Sequence, residues 1–489
     1  MHMYTSPIDP LIIKLNDEYP VLDNTVSLKL ETKLANKIKF ETVLPEHYKS
    51  NYQLIHDSTF EIHLIKSQNI PPIKDELLSK KIDRYDFAYF VPNIVTKNYQ
   101  SHIYGSLVSY ENHVRPISKK IYKKLNKKMP LLSNYYIASQ DTSNLRLIGT
   151  LECLFKNEQL PDALKNDKFL SSLHNYSQRQ QFHIVNYIVK KYRINHQVIL
   201  GLNNYSYNVH DSIKLIGIYN EPLIYFPTKN VYFSTDPVLR LGPIDPIYFQ
   251  SNNKIFYRNE LLPHKAKETE AEFTIDSLEI NVDWKNNSNL VTISQSLSGY
   301  FAQELQNSLF GNTFENQQTV IEKHILNYVN GGKILTIDKK NIGVDTLFKL
   351  PIHFNATVST ANLSFSLDSM IIINLGTLIG NQKQLQDDTT QVRIAPVNLE
   401  YAHIYSRKIT IKIPEGYKIQ NLDDLNINYT ENPEFGIKTE IKLENNLLTI
   451  ENKEWYNHFK FAPSCYKSIY KTFNLSYLFS KSKLILIQE

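Results

Sequence analysis

The chain has 489 residues, more than a single hydrophobic core organises, so two or three domains are expected. Hydrophobic residues make up 42% and charged residues 21%, which excludes an intrinsically disordered chain. The formal charge is only +5, with acidic residues interspersed almost everywhere, which excludes a global field built for nucleic acid or for a membrane surface.

The first ~100 residues alternate apolar and polar positions in short runs, as in Val26-Ser27-Leu28-Lys29-Leu30-Glu31 and Phe60-Glu61-Ile62-His63-Leu64-Ile65. They read as half-buried strands of a sandwich. From about Ser106 the spacing becomes helical: Ile117 to Leu125, Leu145 to Phe155, and Gln181 to Tyr192, where Phe182, Val185, Ile188, Val189 and Tyr192 line one face. The first of these is strongly basic, with Lys119, Lys120, Lys123, Lys124, Lys127 and Lys128, and reads as a solvated helix face rather than a phosphate or lipid site. Strands resume at Gln197–Leu202, Leu223–Phe226 and Asn230–Phe233, which makes the middle part α+β.

The polar stretch His264 to Glu270 has no apolar period and reads as a linker. Beyond it, apart from one helix around Tyr300 to Phe310, the chain alternates, with turn signals at Asn330-Gly331-Gly332 and Pro414-Glu415-Gly416. The domains expected are thus 1-105, a shortened β domain, 106-263, an α+β domain, and 271-489, a β-rich domain. No fixed repeat supports a solenoid or propeller.

Cys153 and Cys465 are the only cysteines, far apart, and write neither a disulfide framework nor a cysteine-based metal site. The fifteen histidines form no His-x-x-x-His pair, and there is no Gly-rich phosphate loop or Gly-x-Ser-x-Gly elbow, so no metal and no cofactor is expected. No apolar run reaches the ~18 to 20 residues of a spanning helix, and the start Met1-His2-Met3-Tyr4-Thr5 does not read as a signal peptide.

Several motifs stand in an order that resembles a three-part bacterial family best known from Bacteroidetes: a β domain of unknown function, a transglutaminase-like domain, and a second β domain of unknown function. Asn69-Ile70-Pro71-Pro72-Ile73-Lys74-Asp75-Glu76 is similar to a segment of its first domain. Leu297-Ser298-Gly299-Tyr300-Phe301-Ala302 resembles its Gly-Tyr-Tyr-Ala motif, and Ile413-Pro414-Glu415-Gly416-Tyr417 its Leu-Pro-Glu-Gly-Tyr turn. Phe435-Gly436 and the closing run Leu484–Ile487 follow in family order. The resemblance implies an α+β multidomain fold: a β-sandwich-like N-terminal domain, a transglutaminase-like (papain-like) middle domain and a β-rich C-terminal domain.

It also implies where a catalytic triad would lie. A site of this kind needs a thiolate at a helix N-terminus, a His on a strand and an Asp on the next strand. Matching the helix that ends Tyr187–Ile194 places Gln178 at the nucleophile, Asn220-Glu221-Pro222 places Glu221 at the His, and Thr235-Asp236-Pro237 keeps Asp236. Between Asp167 and Arg193 there is no cysteine at all. A Gln amide offers no nucleophile comparable to a thiolate, and Glu221 does not shuttle protons near neutrality unless burial raises its pKa.

The expected function is therefore a catalytically inactive binding or scaffolding module for an unknown protein, peptide or glycan partner. Its expected home, by resemblance alone, is the periplasm or cell envelope; the sequence leaves a cytoplasmic home open. Two alternatives stand: rewired, cysteine-independent chemistry using Glu221 and Asp236, with His174 and His183 near the site helix, or a pseudoenzyme partner of an active relative. Tyr205, Tyr207 and Tyr219 are candidates for an aromatic platform, weighed against ordinary strand packing.

Overall fold

The computed structural model describes residues 11–15, 21–31, 38–70, 87–94, 118–137, 146–156, 166–201, 221–234, 241–246, 253–257, 260–264, 268–285, 288–309, 314–342, 350–380 and 393–489, together with positions 78, 164, 266, 382, 384 and 385. It divides into two compact units, Met1–Glu268 and Thr269–Glu489, and is a mixed helix and strand, multi-sheet protein.

The first unit opens with six strands: β1 (Leu11–Lys14), β2 (Val21–Glu31), β3 (Ile38–Val43), β4 (Tyr52–His56), β5 (Phe60–Ile70) and β6 (Phe87–Ile94). They make two three-stranded antiparallel sheets, ordered β1-β6-β3 and β2-β5-β4, around Leu15, Tyr48, Ile65 and Phe90. In β2 the alternation reads true, with Val26, Leu28 and Leu30 on the covered side. In β5 the covered residues are His63, Ile65 and Ser67, not the apolar Ile62 and Leu64. The reason is a polar clasp. Tyr52 Oη lies 2.8 Å and Thr42 Oγ1 3.1 Å from His63 Nδ1, while Nε2 lies 3.0 Å from Glu61 Oε1. The carboxylate fixes the proton on Nε2, so Nδ1 accepts from the hydroxyls. Thr42 belongs to the other sheet, so this bond joins the two layers.

Three helices follow: α1 (Lys119–Ile137), α2 (Arg146–Lys156) and α3 (Gln178–Lys191). In α1, Leu125, Met129 and Leu132 are buried, while Lys119, Lys120, Lys123, Lys124 and Lys127 are exposed. Lys128 departs from the solvated row by pairing with Asp167. The five strands β7 (Gln197–Gly201), β8 (Glu221–Phe226), β9 (Val231–Phe233), β10 (Asn253–Tyr257) and β11 (Glu260–His264) form one antiparallel sheet ordered β11-β10-β7-β8-β9. His264, expected in a linker, closes β11.

The second unit is built on an eight-stranded sheet. Its strands, from edge to edge, are β14 (Lys333–Lys340), β15 (Ile352–Thr360), β13 (Ser288–Leu297), β12 (Ile275–Lys285), β19 (His403–Lys412), β23 (Leu447–Tyr456), β22 (Phe435–Glu444) and β21 (Asn428–Tyr429). The β12–β19 pair is parallel and the others are antiparallel. A four-stranded sheet, β16 (Ser364–Leu367), β17 (Met370–Ile373), β25 (Leu484–Gln488) and β20 (Tyr417–Ile419), and the pair β18 (Val397–Asn398) and β24 (Lys460–Phe461) complete it.

Three helices pack on the large sheet: α4 (Gly299–Leu309), α5 (Phe314–Leu326) and α6 (Tyr466–Ser480). Leu305, Ile321, Ile325 and Phe479 from these helices meet Ile280, Ile293, Phe354, Ile409 and Ile450 in one buried core. Only α4 lies where the sequence spacing indicates a helix. α6 shows no apolar helical period in the sequence because its buried stripe, Ile469, Thr472, Ser476 and Ser480 beside Phe479, is half polar. At the head of α4, Gly299 has φ +54°, and a Cβ there would stand 2.4 Å from the carbonyl oxygen of Phe273. Only glycine turns the chain there at no steric cost, which lets Tyr300 bury behind it.

Candidate functional site

The helix that would carry a nucleophile is α3. Its start is set by Ser177, in extended conformation, whose Oγ accepts from the Gln180 backbone N–H, while Gln180 Oε1 accepts from the Ser177 N–H at 2.9 Å. This reciprocal capping box satisfies the Gln180 N–H of the helix and the Ser177 N–H that precedes it. Gln178 is therefore the first helical residue, directly after a capped serine. Phe182, Ile184, Val185, Ile188 and Val189 bury α3 against Ile224 and Phe226 of β8 and Phe233 of β9. Tyr192, expected on this face, is 42% exposed because it serves as the C-cap, its N–H bonding to the Ile188 carbonyl.

Glu221 is the first residue of β8, paired in register with Gly201. Asp236 lies outside the described residues, as do Tyr205, Tyr207 and Tyr219. Helix start and strand start are thus placed at Gln178 and Glu221. His174 is exposed, with Nδ1 bonding to the Ser171 carbonyl at 2.6 Å, and His183 packs edge-on against Phe182 at 5.8 Å. Cys465 is a free thiol of the second unit, just before α6.

On the face of β8 and β9 away from α3, Tyr225 stacks on Tyr232 with centroids 4.6 Å apart. The Tyr232 hydroxyl meets His264 Nε2 at 3.0 Å. Burial raises the Tyr232 pKa and lowers that of His264, so a neutral phenol donates to a neutral imidazole. This cluster is the most developed polar arrangement among the described residues of the first unit's five-stranded sheet. Sequence reasoning missed it because its members come from three strands.

The second unit carries two further polar arrangements. Inside, Arg407 Nη2 binds Asp276 Oδ2 at 2.6 Å, and Gln295 Nε2 donates to Asp276 Oδ1 at 2.8 Å; His324 Nε2 reaches Gln295 Oε1 at 2.8 Å. Glu454 is buried beside them, accepting from Tyr456 Oη and Ser476 Oγ at 2.7 Å each. Burial pushes the Glu454 carboxyl above the usual carboxylate range, with those two bonds and Arg407 opposing. Each of these groups is matched to a partner, so the network fastens β12, β13, β19, β23, α5 and α6 together rather than opening a site.

Outside, the opposite face of the same sheet forms a groove of about 770 Å³. Its floor carries Glu279, Lys408, Lys438, Glu440, Lys453 and Trp455. The Trp455 indole lies on Gly436 of the neighbouring strand, where a Cβ would come 2.7 Å from ring carbons Cζ2 and Cη2, and its Nε1–H donates to the Pro433 carbonyl at 3.0 Å. Lys438 and Glu440 pair at 2.6 Å, so much of the charge on this face is neutralised locally. Among the described residues no group of His, Cys, Asp and Glu is placed to hold a metal ion.

No family model matches the chain, and no curated protein does. Among solved structures, the chain is similar to a crystal structure from Parabacteroides distasonis described as a "putative protease". The match has a TM-score of 0.52 at 9% identity and covers 99% of this chain and 76% of that one. At that identity the likeness is one of fold. No described helix is long and apolar enough to cross a membrane.

Proposed function

We propose that this chain is a catalytically inactive, transglutaminase-like protein that acts as a binding or scaffolding module. The observation that carries this reading is the start of α3. Where a thiol enzyme of this kind has a cysteine opening the helix, this chain has Gln178 behind a serine cap whose Oγ accepts from the Gln180 N–H. Its second support is the sequence itself, which has no cysteine between Asp167 and Arg193 and Glu221 in place of a histidine. The partner is a protein, peptide or glycan, and the cell envelope of a Bacteroidetes-type bacterium is the proposed setting. The likeness in fold to the Parabacteroides distasonis protein bears on the fold alone, and the setting rests on the sequence motifs.

The test is turnover. Incorporation of a fluorescent amine into a glutamine-containing protein, and hydrolysis of a peptide library, are expected to stay at the level of buffer alone. Turnover that Glu221→Gln or Asp236→Asn abolishes would overturn the reading in favour of rewired carboxylate chemistry.

A further inference from the structure

The registers of the four-stranded sheet sort its side chains onto two faces. Ile373, Leu484 and Leu486 point into the core and are buried. On the other face Phe365, Ile372 and Ile485 stand in one cross-strand row, and Leu367, Met370 and Ile487 in the next. Phe365 is 47% and Leu367 52% exposed, and the other four are partly exposed. An antiparallel sheet with one face on a core ordinarily turns polar residues outward. Here both faces are apolar, whereas the outward face of the eight-stranded sheet carries Lys and Glu. A contiguous exposed apolar patch of this kind marks an interaction surface.

The rim says what chemistry completes it. Lys418 of β20 continues the second row beside Ile487, and the Lys483 ammonium stands 6.0 Å from the centre of the Phe365 ring. Both are exposed, and neither pairs with an acid among the described residues. The acids nearest the face, Asp368 in the turn that ends the β16–β17 hairpin and Glu489 opposite Gly416 after β25, both stand beyond the second row, at the end away from Lys483.

We propose that this face docks an amphipathic helix of a partner protein whose apolar stripe is flanked by Asp or Glu. The dimensions fit. Four strands at about 4.8 Å spacing span roughly 14 Å, and four residues run roughly 13 Å, which one helix of about 10 Å diameter covers over some two to three turns. Anchors at i, i+3 or i+4 and i+7 would then meet the two apolar rows. A second copy of the chain fits poorly, because a twofold contact would bring both copies of Lys418 and Lys483 to one patch. A membrane fits poorly as well, since two lysines at about 1 kcal/mol each and two projecting side chains fall short of stable anchoring.

The experiment uses the full chain and two fluorescein-labelled peptides of fourteen residues. Both have leucines on one helical stripe, one flanked by glutamates and its twin by lysines, and binding is read as anisotropy. The acid-flanked peptide is expected to bind at least tenfold more tightly than its twin. Phe365→Ser with Leu367→Ser is expected to weaken it at least tenfold, and Lys418→Glu with Lys483→Glu to reverse the preference. These side chains are exposed, so an unchanged unfolding midpoint certifies that each variant is folded. The proposal is overturned if neither peptide binds, or if the variants bind as the parent does. It is also overturned if the Ser variant instead loses co-sedimentation with vesicles containing phosphatidylserine, or loses a concentration-dependent dimer.

Discussion

Tyr232 on β9 and His264 on β11 share a hydrogen bond of 3.0 Å although their strands are the two outer edges of a five-stranded sheet. Laid flat, those edges would stand about 19 Å apart. The bond therefore requires the sheet to roll, which encloses the Tyr225–Tyr232 stack on its inner side and leaves Ile224 and Phe233 to pack on α3.

Tyr232→Phe removes the donor and leaves the imidazole half-buried without it. A loss of about 1–2 kcal/mol in urea unfolding is expected. Adding His264→Phe should cost less than the sum of the two single changes, because no unmatched polar atom then remains. Strict additivity would show that the bond does not hold the roll.

Ser177→Ala should destabilise the first unit by about 1 kcal/mol through loss of the helix cap. Gln180→Ala removes the other half of the box, and the pair should be less than additive. On the proposed reading, Gln178→Cys is expected to leave acyl transfer at the level of the parent, since Glu221 would stand where the base histidine belongs.

The Asp276–Arg407 pair calls for two comparisons. Asp276→Ala alone strands a buried guanidinium and should cost about 3–5 kcal/mol. Asp276→Leu with Arg407→Met removes both charges and should cost less than the single change, read from denaturant unfolding of the intact chain.

His403 is packed among the rings of Phe301, Tyr401, Tyr405 and Tyr456, and this burial holds its pKa down to about 4, with the bond to the Tyr401 carbonyl opposing. The unfolded chain then binds more protons than the folded one as pH falls from about 6.5 towards 4, so stability is fully present above that window and declines through it. Glu454, held protonated to higher pH than usual, acts in the opposite direction. The difference between parent and His403→Gln isolates the histidine. The variant should lose less stability between pH 7 and 4, by about 3 kcal/mol. Equal losses would place no titration at His403.

Much of the architecture is legible without coordinates. The 3.6-residue spacing from Phe182 to Val189 and the alternation from Val26 to Leu30 each oppose strongly apolar to strongly polar positions, so burial on one side is determined locally. The turn at Asn330-Gly331-Gly332 is legible for a backbone reason, since all three take positive φ. The absence of any cysteine between Asp167 and Arg193 is likewise a statement of sequence, while Asp236 lies outside the described residues and Glu221 is described by its backbone alone.

What the chain conceals are the places where polar residues are buried. In β5 the sequence favours Ile62 and Leu64 as the inner residues, but His63 faces inward because Thr42 and Tyr52, distant in sequence, supply its hydrogen bonds. α6 hides its helical period because Thr472 and Ser476 are buried, Ser476 with a bond to Glu454 of β23. The sequence by itself determined the composition of the helices and strands and the absence of a cysteine between Asp167 and Arg193. The tertiary structure decided which polar groups go inside, how the five-stranded sheet rolls and which apolar face stays outside. A buried polar atom is stable only opposite a partner, and those partners are assembled by the fold rather than by neighbours along the chain.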